Sequence, residues 1–189
     1  LFREKAEDLG CYDNPYPFVN DWSRLSFFKK GTHQTAPIWE PKGPTFVVMC
    51  GMPGSGKNTW VQKNWNGPIV EMDSIRKRLN IKPTDKKQQG LIFQTAKEDV
   101  RVSMRAKQDL LWNATSLTQL QRAGIIDIAL QYDAKIKIVY LDTSFKEIIL
   151  RNRERDTDKQ IHEKVLSKMY TGLEIPNLTE CHTLEIIKQ

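Results

Sequence analysis

The run Thr45-Phe46-Val47-Val48-Met49-Cys50 joins β-branched and apolar side chains without polar alternation, the pattern of a strand buried on both faces. A glycine-rich turn at 51–56 follows, then a helix from about Lys57 to Trp65, a short apolar run from Pro68 to Met72, and a helix from Ser74. From Gln89 to about Leu111, apolar residues recur at three- and four-residue spacing, which predicts a long amphipathic helix. Further β-forming runs occupy Leu111–Ala114 and Lys135–Leu141, and a closing strand is expected at Thr183–Ile187. The polar stretch Lys82–Gly90 reads as an exposed loop between helices. Strands alternating with helices predict an α/β fold with a mostly parallel sheet flanked by helices.

Residues 1–44 break this rhythm. They are dense in aromatics between Phe2 and Phe28 and carry Asn14-Pro15-Tyr16-Pro17, too apolar for a disordered tail and too punctuated for a long helix. Pro37, Pro41, Gly43 and Pro44 form a breaker cluster, so a core domain is expected over 45–189, with 1–44 a lead-in that packs on it or on a neighbouring module. The chain opens at Leu1 without a methionine and is expected to be part of a longer multidomain polypeptide. A length of 189 residues at 39% hydrophobic content suits a single core. No apolar run approaches the ~20 residues of a membrane-spanning helix, so no membrane contact is expected. Cys11, Cys50 and Cys181 show no CxxC spacing, which argues against a disulfide framework or structural zinc and fits a reducing cytoplasm. The net charge of +6 suits phosphate-bearing partners.

The chemistry concentrates at Gly51-Met52-Pro53-Gly54-Ser55-Gly56-Lys57, a Gly-x-x-x-x-Gly-Lys string between a predicted strand and a predicted helix. Such a loop wraps phosphates closely enough for its backbone N–H groups to become ligands, and the helix N-terminus adds its positive dipole end. Gly54, Ser55, Gly56, Lys57, Asn58 and Thr59 are therefore the expected nucleoside triphosphate site, with Lys57 charging the transferring phosphoryl group. Asn58 stands where a Ser or Thr hydroxyl reaches the metal in this motif. Its carboxamide oxygen is still a hard ligand, so Mg²⁺ or Mn²⁺ is expected there, directly or through water.

Asp73, at the C-terminal end of the second strand, lies at the edge where parallel sheets gather ligands. It reads either as the proton acceptor for an attacking hydroxyl or as the N-cap of a helix beginning at Ser74. Arg151 and Arg155 are four apart, as on one helical face, and suit phosphate oxygens; the alternative is a solvated helix with Glu154 and Asp156 as partners. Asp142 reads as a cap. Lys97, Arg101 and Arg105 form a four-residue stripe that either tracks a phosphodiester backbone or faces water. His33, His162 and His182 read as surface or packing residues, and Trp60 and Trp65 as core.

Together, Gly51 to Trp60, Met72-Asp73-Ser74-Ile75-Arg76 and Leu150-Arg151-Asn152-Arg153-Glu154-Arg155 resemble, in that order, the phosphate loop, Asp-x-x-Arg and Arg-Asn-x-x-Arg lid of the polynucleotide 5′-kinase family, which includes the phage polynucleotide kinase-phosphatase. The resemblance runs from about Thr45 to Tyr170. It implies a P-loop fold with a helical lid near 149–158. It further implies that Asp73 takes the proton of the acceptor 5′-hydroxyl, that Arg76 contacts the neighbouring phosphate, and that Arg151 and Arg155 close over the nucleotide. Asn113, before Ala114-Thr115, matches more loosely a turn that lines the acceptor site in relatives. Cys11 to Phe18 resemble the lead-in to the kinase module of bacterial bifunctional end-repair enzymes, where an HD-type phosphohydrolase module comes first.

The expectation is an ATP- or NTP-dependent polynucleotide 5′-hydroxyl kinase acting on DNA or RNA ends, with Lys57, Asp73 and Arg155 as its catalytic residues. A sugar or nucleoside kinase shares the loop and lid, and a nucleotide-binding module without transfer shares the loop alone.

Overall fold

The computed structural model describes residues 18–82 and 85–189, so the expectations for Cys11–Pro17 lie outside the described residues. The chain divides into two compact units, Leu1–Glu40 and Pro41–Gln189. In the first, helix α1 (Asp21–Lys30) is capped by Asn20, whose side chain accepts from Ser23 N–H, and it ends on Gly31 at φ 65°. Ser23 Oγ donates to Ala36 O and accepts from Ile38 N–H, pinning the following segment back on the helix.

The second unit is a three-layer α/β structure. Its elements are β1 (Thr45–Cys50), α2 (Lys57–Asn64), β2 (Ile69–Glu71), α3 (Met72–Arg78), α4 (Gln89–Arg105), β3 (Leu110–Asn113), α5 (Gln119–Leu130), β4 (Lys135–Asp142), α6 (Phe145–Arg153), α7 (Glu163–Thr171) and β5 (Thr183–Lys188). The five strands run in the order β2-β3-β1-β4-β5, every pair parallel. β1 is central, pairing Val48 with Trp112 on one side and Ile138 on the other. Side chains alternate across it: Val47 and Met49 join Leu111, Val139, Leu141 and Val61 of α2 in one core cluster, so Phe46 and Val48, fully buried, face the opposite layer. All five strands therefore end at one edge, which gathers the loop after β1, the start of α3, Asn113 and the start of α6.

Several elements differ from the sequence expectation. The long helix stops at Arg105, not Leu111, because the chain turns through Lys107 at φ 52°, with Gln108 N–H donating to Ser103 O and Lys107 N–H to Met104 O. This is a Schellman stop made without glycine, which hides it from the residue pattern. The Lys82–Gly90 stretch is not loop throughout: a 3-10 turn at Lys86–Gln88 leads straight into α4. α3 begins at Met72 with Glu71 at its N-cap, so Asp73 is a first-turn residue and not a cap. Asp142 ends β4, and Ser144 caps α6 in its place through Glu147 N–H. α5 and α7 occupy stretches for which the sequence expectation named no element.

Candidate functional site: the phosphate loop and its strand edge

The loop after β1 is shaped by glycines in backbone regions closed to other residues. Gly56, at φ 89°, is the N-cap of α2, and a β-carbon there would come within 3.4 Å of Gln189 Oε1. Gly51 sits so close to Ser55 that a β-carbon would stand 2.8 Å from its hydroxyl. Ser55 itself is fully buried, and its Oγ has no hydrogen-bond partner. An unpaired hydroxyl under a cradle of N–H groups suits an anionic ligand oxygen.

Lys57 opens α2 and folds back over the loop, donating to Gly51 O at 2.9 Å and Met52 O at 2.8 Å. Burial pushes its ammonium down to about 8, the nearby Cys50 opposes this, and the positive field of Arg155 adds to it. A buried cation held only by two carbonyls, with another cation in range, is poised to accept phosphate oxygens.

Asn58 and Thr59 are exposed on the first turn of α2. Asn113, at the end of β3, donates from Nδ2 both to Asn58 Oδ1 at 3.0 Å and to Glu71 Oε1 at 2.6 Å. Glu71 also accepts from Ser74 Oγ at 3.3 Å. Asn113 turns its amide N–H groups into this edge, so the oxygens it offers are Asn58 Oδ1 and the Glu71 carboxylate, hard donors that suit a divalent cation. Among the described residues there is no cluster of three or more His, Cys, Asp or Glu side chains that could hold a metal alone. Glu71 was not anticipated from the sequence, where it is only an acid two places before Asp73.

Asp73 and Arg76 form an ion pair one turn apart on α3, with Asp73 85% exposed and Arg76 23%. Arg76 Nη2 also donates to Gln89 Oε1 at 3.1 Å, and its buried Nε has no partner. On the other flank, Arg151 donates from Nε to Glu147 at 2.8 Å and from Nη1 to Gly54 O at 3.5 Å, so α6 touches the phosphate loop. α6 ends at Arg153, so Arg155 lies in the turn beyond it and does not share a helical face with Arg151. That turn is closed at its base by Asn152, which donates to Ile161 O at 2.8 Å and accepts from Ile161 N–H at 3.0 Å. Arg155 Nη1 is buried without a partner. The structure thus sets Arg151 against the phosphate loop, links Asn113 to it through Asn58, and brings the Arg155 charge within the field of Lys57, while Asp73 and Arg76 lie at the start of α3 on the same sheet edge.

Residues 46–176, more than half of the chain, match the AAA domain. The chain belongs to this family. Its AAA domain has the fold of P-loop kinases, as solved structures show. One is a gluconokinase from Sinorhizobium meliloti, 18% identical with a TM-score of 0.52, covering 78% of this chain and 84% of that one. A second, in the Pnkp1/Rnl/Hen1 RNA repair complex, is 18% identical with a TM-score of 0.62 over 75% of this chain. This chain spans only 47% of that protein's length. A third is the Mycobacterium tuberculosis APS kinase bound to AMPPNP and APS, 14% identical with a TM-score of 0.51 over 77% of this chain and 90% of that one.

Two cavities, of about 390 and 480 Å³, are lined by Phe145, His162, Glu163, Lys164 and Ser167, and by 65–68 with 107–109. Neither includes the phosphate loop, Asp73 or Arg76. Lys97, Arg101 and Arg105 do not act as one stripe: Arg101 and Arg105 each pair with Glu98 at 3.2 Å, while Lys97 Nζ lies 4.8 Å from the Phe93 ring centroid. His182 is buried and its Nδ1 accepts from Ile136 N–H, a packing role. Among the described residues no helix is long and apolar enough to cross a membrane.

Proposed function

We infer that this protein is a polynucleotide 5′-hydroxyl kinase, which transfers the γ-phosphate of ATP or another nucleoside triphosphate to a 5′-OH end of DNA or RNA. The observation that carries this reading is the exposed Asp73 carboxylate paired with Arg76 on the first turns of α3, at the sheet edge that also carries the phosphate loop. A hydroxyl that attacks phosphorus must be aligned and must lose its proton, and one carboxylate does both. The guanidinium one turn on would meet the phosphate that follows the terminal nucleotide, a group that sugars and free nucleosides lack. The likeness to the RNA repair complex supports the same reading.

In the transfer, the acceptor O5′–P bond forms as the bond from the γ-phosphorus to the βγ-bridging oxygen breaks, and the hydroxyl proton passes to Asp73. Lys57 leaves the carbonyls of Gly51 and Met52 for the phosphate oxygens, within the N–H cradle of Gly54 to Thr59. Arg151 and Arg155 neutralise the developing charge from the α6 side, and Asn113 lines the acceptor side. Mg²⁺ or Mn²⁺ held by Asn58 would shield the phosphate charges.

Asp73→Asn tests the assignment. It should lower transfer to a 5′-OH oligonucleotide by about 10²–10⁴-fold while nucleotide affinity stays near wild type. Full activity in that variant would end it.

A further inference from the structure

The start of α4 is fixed at the catalytic edge by the Arg76–Gln89 hydrogen bond, and Arg78 ties the same two helices again through Asp99 at 2.7 Å. One turn beyond Gln89, Phe93 keeps 38% of its surface exposed. Its ring stands edge-on to Trp112, centroids 6.0 Å apart at 87°. Trp112 is buried and directly precedes Asn113, the residue that reaches both Asn58 and Glu71. The Phe93 ring thus packs on Trp112 between the turn of α4 that bonds Arg76 and the end of β3. A further turn on, Lys97 covers the ring, and among the described residues it forms no ion pair, in contrast to Arg101 and Arg105. Phe93 and Lys97 follow Gln89 at about 6 and 12 Å along the helix axis. Guanidinium, half-exposed aromatic and an ammonium that rests on that ring therefore succeed one another away from Asp73.

Alternating phosphates and bases are the chemistry this order complements. We propose that Phe93 and Lys97 form a second acceptor subsite for single-stranded nucleic acid. The strand leaves Arg76 along α4, a base stacks on Phe93, and Lys97 swings from the ring to the adjacent phosphate. Stacking of a base on an aromatic ring outweighs an exposed cation–π contact, so the base displaces the ammonium. The proposal rests on the polynucleotide kinase reading and deepens it: the substrate is a single strand longer than one nucleotide, not merely a terminal 5′-OH.

The test compares two acceptors, a nucleoside 3′-monophosphate, which reaches only Arg76, and a 5′-OH hexanucleotide. For Phe93→Leu, which keeps apolar packing without a ring, KM for the hexanucleotide relative to the monophosphate should rise about 5- to 100-fold at unchanged kcat. Phe93→Trp should restore the wild-type ratio. Lys97→Gln should flatten the salt dependence of hexanucleotide binding by about 0.7 in the log–log slope. An unchanged ratio in Phe93→Leu, or equal losses on both acceptors, overturns this subsite and leaves the kinase assignment standing. Failure of the wild-type protein to phosphorylate either acceptor overturns both.

Discussion

Removing the Glu180 carboxylate should cost this fold more than any surface change. Arg122 on α5 is fully buried, and its Nε and Nη2 donate to Glu180 at 2.7 and 3.0 Å. Nη1 donates to the carbonyls of Ser116 and Leu117, both at 3.0 Å, and lies 3.6 Å from Cys50 Sγ. Ser116 stands at φ 45°, a strained backbone that these bonds hold in place, and neighbouring Thr115 O accepts from Gly51 N–H at the start of the phosphate loop. Glu180→Ala leaves a buried guanidinium with neutral partners only, a loss of about 3–5 kcal/mol. At roughly 2–4 °C per kcal/mol for a chain of this size, the melting temperature should fall by about 6–20 °C. The double variant Arg122→Met/Glu180→Leu removes charge and counter-charge together and should lie within about 2 kcal/mol of wild type. Circular dichroism melts at pH 7 measure both. A Glu180→Ala melt within about 2 °C of wild type, or a double variant no better than the single one, would refute the reasoning.

Three further outcomes follow from the site. Lys57 titrates near 8 in the folded chain and near 10.5 when unfolded, so between those values the unfolded state binds more protons and stability rises with pH. That gain, about 3 kcal/mol, should vanish in Lys57→Met, whose nucleotide-free form should melt no lower than wild type at pH 7 although it transfers nothing. Asn58→Ala should raise the Mg²⁺ or Mn²⁺ concentration needed for half-maximal rate, and Mn²⁺ affinity measured by electron paramagnetic resonance with bound nucleotide should weaken in parallel. Arg155→Ala should lower kcat by about 10²–10³-fold, with equilibrium nucleotide affinity by fluorescence much less affected.

The sheet and the phosphate loop were legible because each rests on local rules. Phe46 to Cys50 could only be a doubly buried strand, and Gly51 to Lys57 requires backbone shapes that few residue types allow. The end of α4 was not legible, since Lys107 takes a left-handed conformation usually marked by glycine. α5 carried a readable capping box in Thr118 and Gln121, but its apolar residues Ile125, Ile126, Ile128 and Ala129 crowd together and blur the helical period. Glu71 joins the edge only because β2 pairs in register with β3, setting it opposite Asn113, a relation between residues 42 positions apart. Arg155 was read from a helical spacing that the chain abandons at Arg153, yet its field still reaches Lys57.

The most direct measurement of the central claim is transfer from γ-labelled ATP with a 5′-OH oligonucleotide, gluconate, APS and a nucleoside offered together. The account predicts label on the oligonucleotide 5′ end, none when that end already carries a phosphate, and none on the small molecules. Label on gluconate, APS or the nucleoside, with the oligonucleotide untouched, would contradict it.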